Sequence, residues 1–229
     1  MSQSDEASAA YERGDYAAAR AAWETAAADG EPEASYFLGF LYANGKGVEK
    51  DFSEALEHYQ TAAEEGHRES EYSLGVLFAN GLGVEADQAE AAYWYTRAAD
   101  RGHTAAMCNL AGLYEGGEGV SRDYVKAVDL YSRAARAGNI VALFNLGVMC
   151  ENGVGMDEDP IQAAEFYRLA ADAGLAAAQF NLGVMLAEGS GIDADLPQAR
   201  QLFEAAAEQG YELAVKNLAY VDERLAANG

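Results

Sequence analysis

The 229-residue chain is 50% apolar and carries 38 acidic against 15 basic residues, a net charge of −23, so a sizeable core is within reach. The charge speaks against nucleic acid and anionic membrane surfaces as partners, since neutralising phosphates takes a basic patch that this chain lacks. It favours a basic or amphipathic protein partner, and it equally serves to keep an alanine-rich stack in solution.

In chain order, residues 5–30 are expected to form a short helix pair joined at Gly14. Five longer units follow, at 31–66, 67–102, 103–138, 139–174 and 175–210. Each has a helix A (33–43 in the first), a glycine loop, a helix B (52–65) and a glycine turn. Residues 211–229 form a capping segment, with a lone helix A over 211–226. Ala, Glu, Leu and Arg dominate these stretches and lose little side-chain entropy in a helix. No run alternates with the period of a strand.

Behind this reading lies a period of 36 that does not slip. Gly30, Gly66, Gly102, Gly138, Gly174 and Gly210 fall where a left-handed residue closes a helix. Asp15, Asp51, Asp87, Asp123, Asp159 and Asp195 open the next apolar-periodic stretch and read as N-caps. An aromatic column runs Trp23, Tyr59, Tyr95, Tyr131, Tyr167 and Phe203, and a leucine column runs Leu38, Leu74, Leu110, Leu146, Leu182 and Leu218. The loops carry Gly-x-Gly, as in Gly45/Gly47, and end in Val48, Val84, Val120, Met156 or Ile192, which is expected to plug back into the layer. The atypical ends suit units that cover the exposed faces of a stack.

Laid out as A-x-x-x-L-G, then G-x-G-V, then D-x-x-x-A-x-x-(Trp/Tyr), then A-A-x-x-G, the chain resembles Sel1-like repeat proteins over residues 31–225. These are relatives of the tetratricopeptide repeats with a longer loop inside each unit. The resemblance implies an all-α fold, a single right-handed α/α superhelix (solenoid) of helix-pair repeats over 1–229. Its A helices would line a concave groove used for assembling or tethering proteins. Some secreted, cysteine-rich members are described as penicillin-binding or β-lactamase-like. Their paired cysteines are absent here, so that activity is not carried over.

On helix A, positions 34, 38 and 41 and their equivalents form the buried stripe. Beside it runs Phe37, Ser73, Asn109, Asn145, Asn181 and Asn217, a ladder of asparagines in successive repeats. Asn is a mediocre helix former, so its repetition needs another cause. Its amide suits gripping the backbone of an extended peptide, and it suits equally a bond to the glycine loop or a neighbouring helix. The next column, Phe40, Val76, Gly112, Val148, Val184 and Tyr220, is either a groove floor or packing between A helices. Glu33, Glu69, Glu115, Glu151 and Glu188 are expected to make the groove rim acidic.

Residues for chemistry are harder to find. Cys108 and Cys150 lie six residues out of phase in neighbouring repeats, about 9 Å of axial rise, too far for a disulfide. With no secretory signal over 1–14 and no apolar run of membrane-spanning length, a reducing cytoplasm and a monomer are expected. His67 and His103 follow turn glycines and are expected to help start helix A, too far apart to share a metal. His58 takes the place of Trp94 and Phe166 and reads as packed. Gly39–Lys46 resembles a phosphate loop with one residue too many and Gly47 where Ser or Thr is required. Asp157, Glu158 and Asp159 lack the spacing of a calcium loop. No zinc-protease, redox or serine-nucleophile motif is present. No metal, cofactor or catalytic residue is therefore expected. The expected function is a protein-interaction scaffold, the alternative a small-molecule binder or hydrolase that uses the groove as a cleft.

Overall fold

The computed structural model describes residues 3–228 and holds, among them, thirteen α-helices and no strand. They fall into two compact units, one ending at Arg122 and the other beginning at Asp123. The first contains α1 (Gln3–Glu12), α2 (Tyr16–Ala28), α3 (Pro32–Asn44), α4 (Phe52–Glu64), α5 (Arg68–Asn80), α6 (Gln88–Asp100) and α7 (Thr104–Gly116). The second contains α8 (Tyr124–Arg136), α9 (Ile140–Glu151), α10 (Pro160–Asp172), α11 (Ala176–Glu188), α12 (Leu196–Glu208) and α13 (Glu212–Asn228). The odd-numbered helices from α3 to α11 are the A helices, the even-numbered ones from α4 to α12 the B helices, and α13 is a terminal A helix.

Helix boundaries follow from local chemistry. Asp51 Oδ1 accepts from the amides of Ser53 and Glu54 at 2.8 and 3.2 Å, and Asp15, Asp87, Asp123, Asp159 and Asp195 cap their helices the same way. Each such cap contributes about 1 kcal/mol. The turn glycines Gly30, Gly66, Gly102, Gly138, Gly174 and Gly210 take φ from 79° to 89°, the left-handed region that a Cβ disfavours. Loop glycines carry a second constraint. A Cβ on Gly83 (φ 71°) would stand 2.5 Å from the carbonyl carbon of Phe52 and 2.7 Å from the Ser53 nitrogen. Each loop thus presses on the start of the preceding helix B, as Gly155 does on Tyr124 and Gly191 on Pro160. Val48, Val84, Val120, Met156 and Ile192 are half-buried behind these contacts.

The core is built from thin layers. Ala34, Leu38 and Leu41 are inaccessible, as are Ala142, Leu146 and Met149. The aromatic column is buried throughout, and four of its rings pack directly against a glycine of their own A helix. A Cβ added to Gly39, Gly75, Gly147 or Gly183 would come within 2.5–2.8 Å of the ring of Tyr59, Tyr95, Tyr167 or Phe203. In sequence, Ala111 takes this place in the third repeat, whose two helices belong to different units.

One buried carboxylate interrupts the apolar layers. Glu71 is fully buried on α5, with Arg97 Nε 2.9 Å from its Oε1 and Arg101 Nε 3.2 Å from its Oε2. Arg97 Nη2 also donates to the Ala63 carbonyl at 3.1 Å, so α4, α5 and α6 are stapled together. Thirty residues separate Glu71 from Arg101, and the same offset joins Gln179 to Gln209, whose Nε2 donates to Gln179 Oε1 at 2.9 Å. In sequence the same two columns read Met107 with Ala137 and Leu143 with Ala173, so each pair is polar together or apolar together.

Urea denaturation followed by circular dichroism checks both constraints. Gly83→Ala is expected to lose about 3 kcal/mol or more, because backbone atoms block its Cβ. Gly102→Ala, whose Cβ meets nothing within 4 Å, is expected to lose only about 1–2 kcal/mol for its φ of 85°. The pair Arg97→Ala with Arg101→Ala is expected to cost about 3–5 kcal/mol by stranding a buried charge. Glu71→Met leaves only partly exposed guanidiniums behind and is expected to cost about 1 kcal/mol.

Candidate functional site

The predicted partner residues all lie on A helices, and their surroundings separate structural roles from available surface. In the first unit Phe37 stacks on Trp23, ring centroids 4.7 Å apart and 12° from parallel. Phe40 meets Tyr11 edge-on at 6.2 Å, so both phenylalanines close the N-terminal helix pair. The Ser73 hydroxyl donates to the Glu69 carbonyl at 2.8 Å and is paired with the Tyr59 hydroxyl. Asn109, on the exposed surface, pairs in the same way with the Tyr95 hydroxyl. In the second unit Asn181 bonds the Tyr167 hydroxyl, which itself donates to Glu151 Oε2 at 2.7 Å.

The ladder therefore has a structural duty. Ser73, Asn109 and Asn181 each bind a tyrosine on helix B of the preceding repeat. Burial pushes the Tyr95 hydroxyl up to about 12, the Asn109 bond opposing it and Tyr72 adding to it. Burial raises Tyr59 and Tyr167 as well, so these phenols stay neutral donors across the physiological range. Asn145 and Asn217 are half-buried at the equivalent places, and the aromatic before Asn217 is Phe203, which has no hydroxyl.

Outside the ladder the face is apolar and partly open. Val76, Val148 and Val184 are half-buried, while Tyr220 is 52% exposed with the Arg224 guanidinium 5.7 Å from its ring centroid. The acidic residues do not form one rim. Glu33 and Glu69 stand in the first turns of α3 and α5, and Glu115, Glu151 and Glu188 in the last turns of α7, α9 and α11. Helices of 12 or 13 residues are about 18–20 Å long, so first-turn and last-turn carboxylates stand at opposite ends of their helices. Beside Ser73 and Val76 a cleft of about 370 Å³ opens within the first unit. Ala43 and Asn44 of α3, Lys50 of the loop, and Phe52 and Tyr59 of α4 complete its walls.

The groups with reactive potential have structural roles. His67 Nδ1 accepts the Ser70 amide at 3.3 Å and His103 Nδ1 the Ala106 amide at 3.2 Å, each ring resting on a tyrosine, Tyr36 or Tyr72. His58 is half-buried and stacked on Tyr42. Burial pushes the Cys108 thiol up to about 11 and raises that of Cys150, so neither is a thiolate at neutral pH. Among the described residues no three His, Cys, Asp or Glu side chains converge as a metal site, and no helix is long and apolar enough to cross a membrane.

Capping by Nδ1 requires a neutral imidazole. Burial lowers the folded-state pKa of both His67 and His103 below the ordinary 6.5, outweighing nearby Glu69 and, for His67, Glu33. Their contribution is complete above that ordinary value and is lost as pH falls below it toward the lowered folded values. Asn139 caps α9 in the same position, its Oδ1 accepting the Ala142 amide at 2.9 Å without titrating. The double variant His67→Asn, His103→Asn is therefore expected to flatten the fall in melting temperature between about pH 7.5 and 5.5. Scanning calorimetry of both proteins reads the difference, and identical slopes would remove the histidine caps from the account.

A Sel1 repeat model matches residues 32–67, 68–103, 104–139, 140–175 and 176–211. No curated protein matches the sequence. Among solved structures, the protective antigen c5321 of uropathogenic Escherichia coli is 36% identical over 92% of this chain, with a TM-score of 0.88. This chain spans only 45% of that antigen's length. A Sel1 repeat protein from Oxalobacter formigenes is 31% identical, covers 95% of this chain and 87% of its own, and gives a TM-score of 0.89. The immunity protein Pa5087 of Pseudomonas aeruginosa, 23% identical over 80% of this chain and 67% of its own at a TM-score of 0.51, shares the fold alone.

Proposed function

The chain belongs to the Sel1-repeat family, and from that membership we propose that it is a scaffold that holds a protein or peptide segment against its helix-A faces. Sel1-repeat proteins are in general protein-interaction scaffolds and mostly non-enzymatic, and this member is read the same way. The observation that carries the assignment to helix A is a half-buried valine at the same repeat position in each unit, Val76 in the first and Val148 and Val184 in the second, three residues after the ladder position. An amide offers one acceptor and two donors, and a tyrosine takes only part of that capacity at Asn109 and Asn181. Carboxylates at both helix ends favour a segment that is amphipathic with basic flanks. Two free thiols fit action in a reducing cytoplasm.

Affinity capture with the full chain, read by mass spectrometry, tests this against a control surface. Val76→Asp with Val184→Asp is expected to lose at least one captured partner while the helical spectrum stays intact. Val125→Asp with Ile161→Asp, at B-helix positions 69% and 61% exposed, is expected to keep it. Raising the salt to about 0.5 M should weaken capture, since screening shortens the reach of the flanking carboxylates. Partners retained by the first pair, or lost only with the second, would move the binding surface off helix A.

A further inference from the structure

The repeats supply an internal template for the cleft in the first unit. Ala43, Lys50, Tyr59 and Ser73 correspond, three repeats on, to Glu151, Glu158, Tyr167 and Asn181. In that later set the site is filled: the Tyr167 hydroxyl donates to Glu151 and is bonded by Asn181. In the first unit both filling side chains are cut short, Glu to Ala and Asn to Ser, and Tyr59 stands in the wall of an open cleft of about 370 Å³. That volume lies at the lower end of the range that takes small ligand groups. The third change reverses a charge. Lys50 replaces Glu158, with its ammonium 4.6 Å from the Phe52 ring centroid, in a chain that carries few cations.

We propose that this cleft receives the carboxylate of a glutamate side chain from the bound partner segment, in the place that Glu151 fills from within the chain. The inference rests on the helix-A reading above and adds the chemistry of one anchor residue. The Ser73 hydroxyl beside Tyr59 has its own proton committed to the Glu69 carbonyl, and an incoming carboxylate would offer the Tyr59 hydroxyl a strong, charge-assisted acceptor. Lys50 supplies the counter-charge. Of the two acidic neighbours in its loop, Asp51 is turned to the amides of Ser53 and Glu54, and Glu49 remains exposed. Tyr72, Val76, Leu77 and Leu82 give the methylenes and flanking residues of the anchor an apolar wall.

The test uses two blocked tripeptides, acetyl-Leu-Glu-Leu-amide and acetyl-Leu-Gln-Leu-amide, titrated into the isotope-labelled full chain by NMR. The glutamate peptide is expected to shift the amide signals of Lys50, Tyr59 and Ser73 and to bind about tenfold more tightly than the glutamine peptide. Ala43→Glu installs the internal carboxylate and is expected to abolish that preference. Lys50→Gln, a change on the exposed loop, is expected to reduce it and carries the test should Ala43→Glu fail to fold. Equal affinities, shifts centred elsewhere, no saturable shift, or a preference that survives both variants overturns the proposal. If the peptides fail while Val76→Asp with Val184→Asp still loses its partner, only the anchor falls. If the peptides discriminate while that partner is retained, the helix-A reading falls and the carboxylate site stands.

Discussion

A flat aromatic ring pressed against a helix with no side chain at the contact point is the constraint from which the rest of the structure follows. Tyr59, Tyr95, Tyr167 and Phe203 need Gly39, Gly75, Gly147 and Gly183 because even a methyl group would overlap the ring. Helices brought that close exclude water from nearly all of the layer, so alanine suffices elsewhere, as the inaccessible Ala55, Ala91, Ala163 and Ala199 show. Burying the ring adds hydrophobic stabilisation at about 25 cal/mol per Å² removed from water. The hydroxyl at its far end then reaches helix A of the next repeat, so one residue joins three helices where Glu151, Tyr167 and Asn181 meet.

Electrostatics supplements this packing at few points. Arg97 and Arg101 neutralise Glu71 inside the first unit, and in the second Arg200 Nε binds Asp222 Oδ1 at 2.7 Å while Arg224 donates to the Ala187 carbonyl, tying α13 to α11 and α12. The exposed pairs contribute little each. Acidic residues outnumber basic ones 38 to 15, and the surface they cover repels other acidic chains. An acidic surface is thus compatible both with solubility and with selection of basic segments. The local reversal at Lys50 gives the first unit a place where a single acidic anchor meets a cation instead.

Much of the fold was legible because each repeated column performs one job. Asp51 and its equivalents cap, Gly66 and its equivalents turn, and Trp23 to Phe203 pack, each as its residue type dictates. His67 and His103 start their helices, as their place just after the turn glycines predicts. The asparagine ladder was ambiguous in sequence, since an amide serves a ligand and a neighbouring tyrosine equally well. The tyrosine bonds decide part of its role. The acidic residues pooled as one rim come from three different columns, which place them at opposite ends of the helices. Glu71 carries no signal in its own column, which holds Ser35, Met107 and Leu143 in other repeats, and its meaning lies in the pairing of column 71 with column 101. The cleft is hidden for a related reason: its lining draws on separate columns, among them those of Ala43, Lys50 and Ser73, and no single column marks it.

The ring-on-glycine contact is tested most directly by a double-mutant cycle between Gly75 and Tyr95, measured by urea denaturation. In the presence of Tyr95, Gly75→Ala is expected to cost about 3 kcal/mol, because its Cβ would lie 2.5 Å from the ring. In a Tyr95→Ala background the same change is expected to be neutral or to stabilise by up to about 1 kcal/mol, the helix preference of alanine over glycine. Additive effects, with Gly75→Ala equally costly whether or not the ring is present, would contradict the account.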